Sequence, residues 1–186
     1  PYLNNQIKEF GYDFVNIGGI HVEPMAIYSK KYTSIEEIPE GGTIIMSNSV
    51  AEQGRVLSLL EASGLIKLDP AVNKSEATLD NIVENPKNLV IDAEPSPEIL
   101  VSFYENEEGD AVVINSNFAI DAGISPVDDS IAIEGGASDY VNVIATTKEK
   151  ENDPALKRLV EVLQSEEISD FILEEWDGAV VPVGNK

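Results

Sequence analysis

The sequence predicts an α/β fold, and three observations carry that prediction. Two apolar, β-branched runs pass straight into helical stretches, GGTIIMSN into SVAEQGRVLSLLEASG and GDAVVIN into SNFAIDAG. Strands that alternate with helices in this way imply a sheet covered by helices and mostly parallel. Near the end of the chain, NDPALKRLVEVLQ sets Asp153 before Pro154, a cap followed by a proline that suits the first helical turn.

Each element follows from local chemistry. YLNNQIKEF reads as a helix that Gly11 ends. DFVNIGGIHVE and PMAIYSKKY read as extended segments joined through Pro24, because a proline disfavours helix in the residue before it. TSIEEIP is a short element with Thr33 or Ser34 as its cap. The helix over residues 47–64 opens on a capping box of Ser49 and Glu52, buries Val56, Leu57, Leu59 and Leu60, and stops at Gly64. A short element follows GLIKLDP, then a turn at Pro86, a strand at 88–92 and a helix from about Pro97. Gly123 ends the stretch SNFAIDAG. SIAIEGG is a short strand and YVNVIATTK a longer one. In the last two helices Leu156, Leu159, Val160 and Leu163, then Ile168, Phe171, Ile172 and Trp176, form the expected inward stripes.

Composition narrows the function. Thirty-four acidic residues against twelve Lys and Arg give a net charge of −22, which opposes binding to nucleic acid or to an anionic membrane surface. The surplus reads as solvated surface. With no cysteine, disulfides, thiolate catalysis and cysteine-ligated zinc are excluded. No apolar run approaches the roughly 18–20 residues of a membrane span. A chain that begins at Pro1 reads as processed, trimmed or incompletely represented. His21 is the one histidine, and neither G-x-S-x-G, G-x-x-x-x-G-K-[ST] nor G-x-G-x-x-G occurs, so the reading is of a protein without catalysis and without cofactor. The glycine pairs at 18–19, 41–42 and 135–136 read as turns.

Five polar residues remain as candidates. Arg55 lies within two turns of a helix N-terminus, where the helix dipole disfavours a cation. It either pairs with Glu52 or Glu61 across a turn or binds a carboxylate bidentately. Asn115 closes a buried strand at its C-terminal end, where open α/β sheets place ligands, and Asn142 interrupts the apolar alternation of YVNVIATT. An amide supplies a donor and an acceptor, suited to an amino-acid head group; each asparagine could instead satisfy backbone at a strand end. His21 and Glu23 share a strand face, which makes them half of a metal site, a polar pair in a cleft, or a histidine satisfied by a carboxylate.

The segments PYLNNQIKEFGYDFV, HVEPMAIYSKKYTSIEEIP, GRVLSLLEASGLIKL, ENPKNL, VVINSNFAIDAGISP and YVNVIATTKE resemble, in order and nearly end to end, the NlpA-type lipoproteins, the methionine-binding components of ABC importers. The resemblance implies a two-lobed class II periplasmic-binding-protein-like fold that closes over L-methionine or a related amino acid in an interlobe cleft and delivers it to the membrane subunits of a transporter. It further implies an extracytoplasmic, lipid-anchored protein whose anchor cysteine is not in this chain. The family's aromatic-and-histidine element precedes PYL, so the first lobe is expected to be incomplete, with residues 1–31 and 140–186 as its remnant and 32–139 as the second lobe. On the same basis Arg55 would hold the ligand carboxylate and Asn115 would reach its amino or carboxylate group. Asn142 would contribute from a crossover strand, Tyr2 would pack near the thioether, and His21 and Glu23 stand as candidate cleft residues. Another small amino acid, a methionine-containing dipeptide, or a truncated surface interaction module are the alternatives. The stretch EPSPEILVSFYENEEGD departs from the more basic family pattern.

Overall fold

The runs TII and AVVI become neighbouring strands at the centre of a sheet, where β-branched side chains can be buried on both faces. The computed structural model describes residues 2–135 and 140–183. In chain order its elements are α1 (Tyr2–Phe10), β1 (Phe14–Val22), β2 (Ala26–Tyr28), β3 (Thr43–Ile45), α2 (Val50–Ala62), β4 (Lys67–Leu68), β5 (Ile82–Glu84), β6 (Val90–Asp92), α3 (Leu100–Glu105), β7 (Ala111–Ile114), α4 (Ser116–Asp121), β8 (Ser130–Ile133), β9 (Asn142–Thr147), α5 (Pro154–Leu163), α6 (Glu166–Trp176) and β10 (Val181–Pro182). They form two units, Pro1–Pro24 with Gly135–Lys186, and Met25–Glu134.

The boundaries expected at 31/32 and 139/140 fall instead at 24/25 and 134/135. At the first boundary the difference comes from β2, which hydrogen-bonds to β7 and β8 and so goes with Met25–Glu134. Residue 139 lies outside the described residues.

Within Met25–Glu134 the sheet has the order β6-β3-β7-β2-β8. β3 runs parallel to β6 and β7, while β2 is antiparallel to both β7 and β8. The expectation of a mostly parallel sheet is therefore corrected to a mixed one. Strands β3, β6, β7 and β8 share a direction because helix-bearing crossovers through α2, α3 and α4 connect them in turn. β2 precedes those crossovers and enters reversed between β7 and β8. Period-2 alternation splits the core between the two faces. Ile27, Ile44 and Val113 pack with Val56, Leu57 and Leu60 of α2. Tyr28, Ile45, Val112 and Ile114 pack with Leu100 of α3 and Ala119 of α4. The buried Gly54 lets α2 approach the 3-10 turn Lys74–Glu76, since a Cβ there would lie 2.4 Å from the Lys74 carbonyl oxygen. A short antiparallel pair, β4 with β5, follows α2. The strand expected from residue 88 starts at Val90, because Asn88 is left-handed (φ 51°) and the Asn85 side chain bonds both the N–H and the carbonyl of Leu89 at 2.9 Å.

The other unit holds a three-stranded antiparallel sheet, β10-β1-β9, with α5 packed on β1 and α6 against β10. Gly18 and Gly19, expected in a turn, sit inside β1 beside two register shifts. A Cβ at Gly18 would lie 2.4 Å from Val160 Cγ1, so the missing side chain is what lets α5 pack there. Gly41 does occupy a turn, with φ 72°; of the third pair, Gly136 is outside the described residues. Asp153 caps α5 through the Ala155 N–H at 2.8 Å, and Ser165 caps α6 through that of Ile168. Two residues of the expected inward stripes are corrected: Leu159 and Phe171 are exposed, at 43% and 52%. Only Val160 and Ile172 of those stripes are buried, because a sheet of three strands offers little area to cover.

Candidate functional site

The first turn of α2 is where the local expectation and the structure part. Ser49 stands at the cap position, but its side chain makes no cap hydrogen bond, and the capping box with Glu52 is not formed. The Glu52 carboxylate is engaged elsewhere: Asn115 Nδ2 donates to Glu52 Oε1 at 2.5 Å. Asn115 occupies the cap position of α4, and it too makes no side-chain cap bond. Neither cap residue thus bonds its own helix's backbone through its side chain, and Asn115 spends its amide across 63 residues of chain. This is a different use of Asn115 from the backbone-satisfying one.

One turn further along α2, on the same face, lies Arg55. Its partner is neither Glu52 nor Glu61. Arg55 Nη2 donates to Glu134 Oε2 at 2.5 Å, and Nε faces both carboxylate oxygens at 3.1 and 3.3 Å. Both side chains are largely buried, 11% and 16% exposed. The Met25 N–H also donates to Glu134 Oε2 at 3.2 Å, while the Glu134 N–H donates to the Met25 carbonyl at 2.8 Å. Glu134 is therefore anchored on the residue that precedes β2, and it holds the plane of the guanidinium. A carboxylate within hydrogen-bonding distance also offsets the conflict between Arg55 and the dipole of α2. Glu61 instead takes Lys74 and the Leu68 N–H, which hold its carboxyl below the usual range.

In the other unit, β1 and β9 place His21 opposite Asn142. His21 Nε2 lies 3.0 Å from Glu23 Oε1 and 3.3 Å from Asn142 Nδ2. A protonated Nε2 donates to the carboxylate and cannot accept from the amide, so the shorter Glu23 contact decides the role of that nitrogen. Among the described residues no group of three or more His, Cys, Asp or Glu side chains is arranged to hold a metal ion. Tyr2 lies on α1, 68% exposed.

Of the six residues singled out in the sequence, Arg55 and Asn115 belong to Met25–Glu134, and Tyr2, His21, Glu23 and Asn142 belong to the other unit. Sequence reasoning misses Glu134 altogether and takes Glu52 for part of a cap. Nothing local distinguishes Glu134 from the other acids of this chain; its role arises only because β8 returns beside β2.

Solved proteins share this architecture. The chain matches a nutrient binding protein from Burkholderia cenocepacia, solved bound to methionine, with TM-score 0.87 and 35% identity over 98% of this chain and 75% of that one. It matches a pheromone cOB1 precursor/lipoprotein of the YaeC family from Enterococcus faecalis V583 with TM-score 0.89 and 51% identity, covering 98% of this chain and 76% of that chain. The methionine-binding lipoprotein MetQ of Bacillus subtilis is 48% identical over 185 residues, 98% of this chain and 67% of the relative. The family model for NlpA lipoprotein matches residues 1–184, and the chain belongs to that family. It spans about two thirds of the length of the curated relatives it matches. No helix among the described residues is long and apolar enough to cross a membrane.

Proposed function

We propose that this chain is part of the substrate-binding component of an ABC importer, and that it captures methionine and presents it to the membrane subunits without catalysis. Family membership supports a binding role, and the relative solved with methionine supports the ligand. The single observation that carries the reading on this chain is Arg55 on α2, held by Glu134 through two of its three guanidinium nitrogens and one turn from the Glu52–Asn115 pair. A planar guanidinium fixed in this way is suited to a ligand carboxylate, and an amide to the neighbouring head-group atoms. We extend ligand contact to Asn142 and Tyr2, and cleft-lining to His21 and Glu23, on the family resemblance. By the same reasoning the intact protein is a lipoprotein held outside the cytoplasm.

The test is calorimetric titration of L-methionine into this chain and into a form extended at its N-terminus to the length of its relatives, beside a panel of small amino acids and methionine-containing dipeptides. Methionine binding by either form supports the reading. Selective binding of another panel member would reassign the ligand. Failure of every ligand by both folded forms would overturn capture of a small molecule and favour a protein-interaction module.

A further inference from the structure

We infer that Glu134 carries the occupancy of Arg55 to both points at which the chain passes between its two units. This rests on the ligand reading above and goes beyond it, because that reading stops at the arginine.

Three observations carry it. The chain passes between the units at Pro24–Met25 and at Glu134–Gly135. Met25 and Glu134, the first and last residues of their unit, are bonded to each other. The Glu134 N–H donates to the Met25 carbonyl at 2.8 Å, and the Met25 N–H donates to Glu134 Oε2 at 3.2 Å. That same oxygen accepts from Arg55 Nη2 at 2.5 Å and from Nε at 3.1 Å. One carboxylate oxygen therefore serves two donors on α2 and one at a crossover, on a side chain only 16% exposed.

Donors that share one oxygen compete for it. A ligand carboxylate on Arg55 brings a second anion to the guanidinium and repels the first, in a largely buried setting where Coulomb interactions are stronger than in water. Oε2 then shifts toward its other donor, and the Met25 N–H bond, the longest of the three, tightens. Because Met25 and Glu134 are also joined through their main chains, the change is felt at both crossovers together. A ligand without a carboxylate leaves Oε2 with Arg55. The device thus distinguishes an occupied arginine from an empty one.

Amide hydrogen exchange read by NMR, with calorimetry to establish saturation, tests this in the wild type and in Glu134→Gln. Ligand binding slows exchange through the whole unit by mass action, so the Met25 N–H is read relative to those of Ile44 and Val113 in the central strands β3 and β7. Saturating L-methionine is expected to slow Met25 about tenfold more than these two, within the range of couplings between sites. Methioninol, which has an alcohol in place of the carboxylate, should slow all three alike. Glu134→Gln keeps an acceptor without the charge and should remove the extra protection. The inference is overturned if Met25 merely follows Ile44 and Val113 in the methionine-saturated wild type. It is equally overturned if methioninol gives the same extra protection or if Glu134→Gln retains it, since the signal would then bypass Arg55 or Glu134. Should Glu134→Gln not fold, the two ligands compared on the wild type decide. A folded wild type that shows no methionine binding by calorimetry fails the ligand reading itself, before any exchange is measured.

Discussion

Arg55 Nη2 and Glu134 Oε2 lie 2.5 Å apart although 79 residues of chain separate them. The pair joins α2 to the end of β8, and through the Met25 N–H it also ties in the residue preceding β2. Replacing Arg55 by Ala should weaken methionine about a hundredfold, the range for truncating one partner of a buried, hydrogen-bonded charge pair. Calorimetry measures it, and unchanged affinity would remove the carboxylate role. Glu134→Ala is expected to lower unfolding stability by about 3 kcal/mol, since it withdraws the carboxylate from a largely buried guanidinium. Urea denaturation reads that loss, and Glu134→Gln should fall between the two.

Gly54 is a packing requirement. A methyl group there would meet the Lys74 carbonyl at 2.4 Å and the Ser75 backbone at 2.7 Å, neither of which can swing aside as a side chain would. Helix propensity alone makes Gly54→Ala favourable, but the contact should dominate and cost about 2 kcal/mol, in the range of overpacked cores. A rise in thermal stability for this variant would show that α2 does not approach Lys74–Glu76 as described.

Tyr28 is fully buried on β2, and its hydroxyl has no hydrogen-bond partner among the described residues. Burial, then Asp129 and Tyr104, pushes the hydroxyl well above its ordinary value of 10.0. The raised value means that stability is present below pH 10 and lost as pH climbs past it, because the unfolded chain ionises first. Tyr28→Phe should therefore be neutral or stabilising by up to about 1 kcal/mol at neutral pH, and should reduce the alkaline loss. Marked destabilisation at neutral pH would reveal a partner for the hydroxyl.

Glu61 governs part of the acid limb. The Lys74 hydrogen bond first, and the Leu68 N–H second, hold its carboxyl below the ordinary 4.5. A lowered value gives stability that is present above pH 4.5 and lost as pH falls through the folded-state value. Glu61→Gln should flatten the pH dependence of the thermal midpoint in that acid window. An unchanged slope would mean that the ammonium of Lys74 is not engaged in solution.

Much of the fold is legible in the chain because it depends on neighbours in sequence. Gly11, Gly64 and Gly123 take the left-handed conformation at the ends of helices, with φ of 69°, 75° and 74°. Asp153 caps α5 where its position suggests. Period and cap chemistry act over a few residues, so a reader of the sequence sees them whole. The direction of β2 is different: nothing in AIY says that it will insert antiparallel between β7 and β8. The inward stripes of α5 and α6 are narrower than their periodicity suggests for a related reason. Periodicity shows which residues could be buried, and the area of the sheet decides how many are.

For the candidate site the division is sharper. Local pattern alone puts Arg55 after a strand–helix junction and Asn115 at the end of a buried strand. What those side chains do is settled by packing. The capping box of Ser49 and Glu52 is a sound local expectation, and it loses to Asn115, which the fold carries in from 63 residues away. Glu134 reaches Arg55 because β8 returns beside β2, and no short-range signal encodes that return. A carboxylate's partner is chosen by which donors the packed chain brings within about 3 Å, and sequence spacing cannot supply that information once loops and strands of dozens of residues intervene.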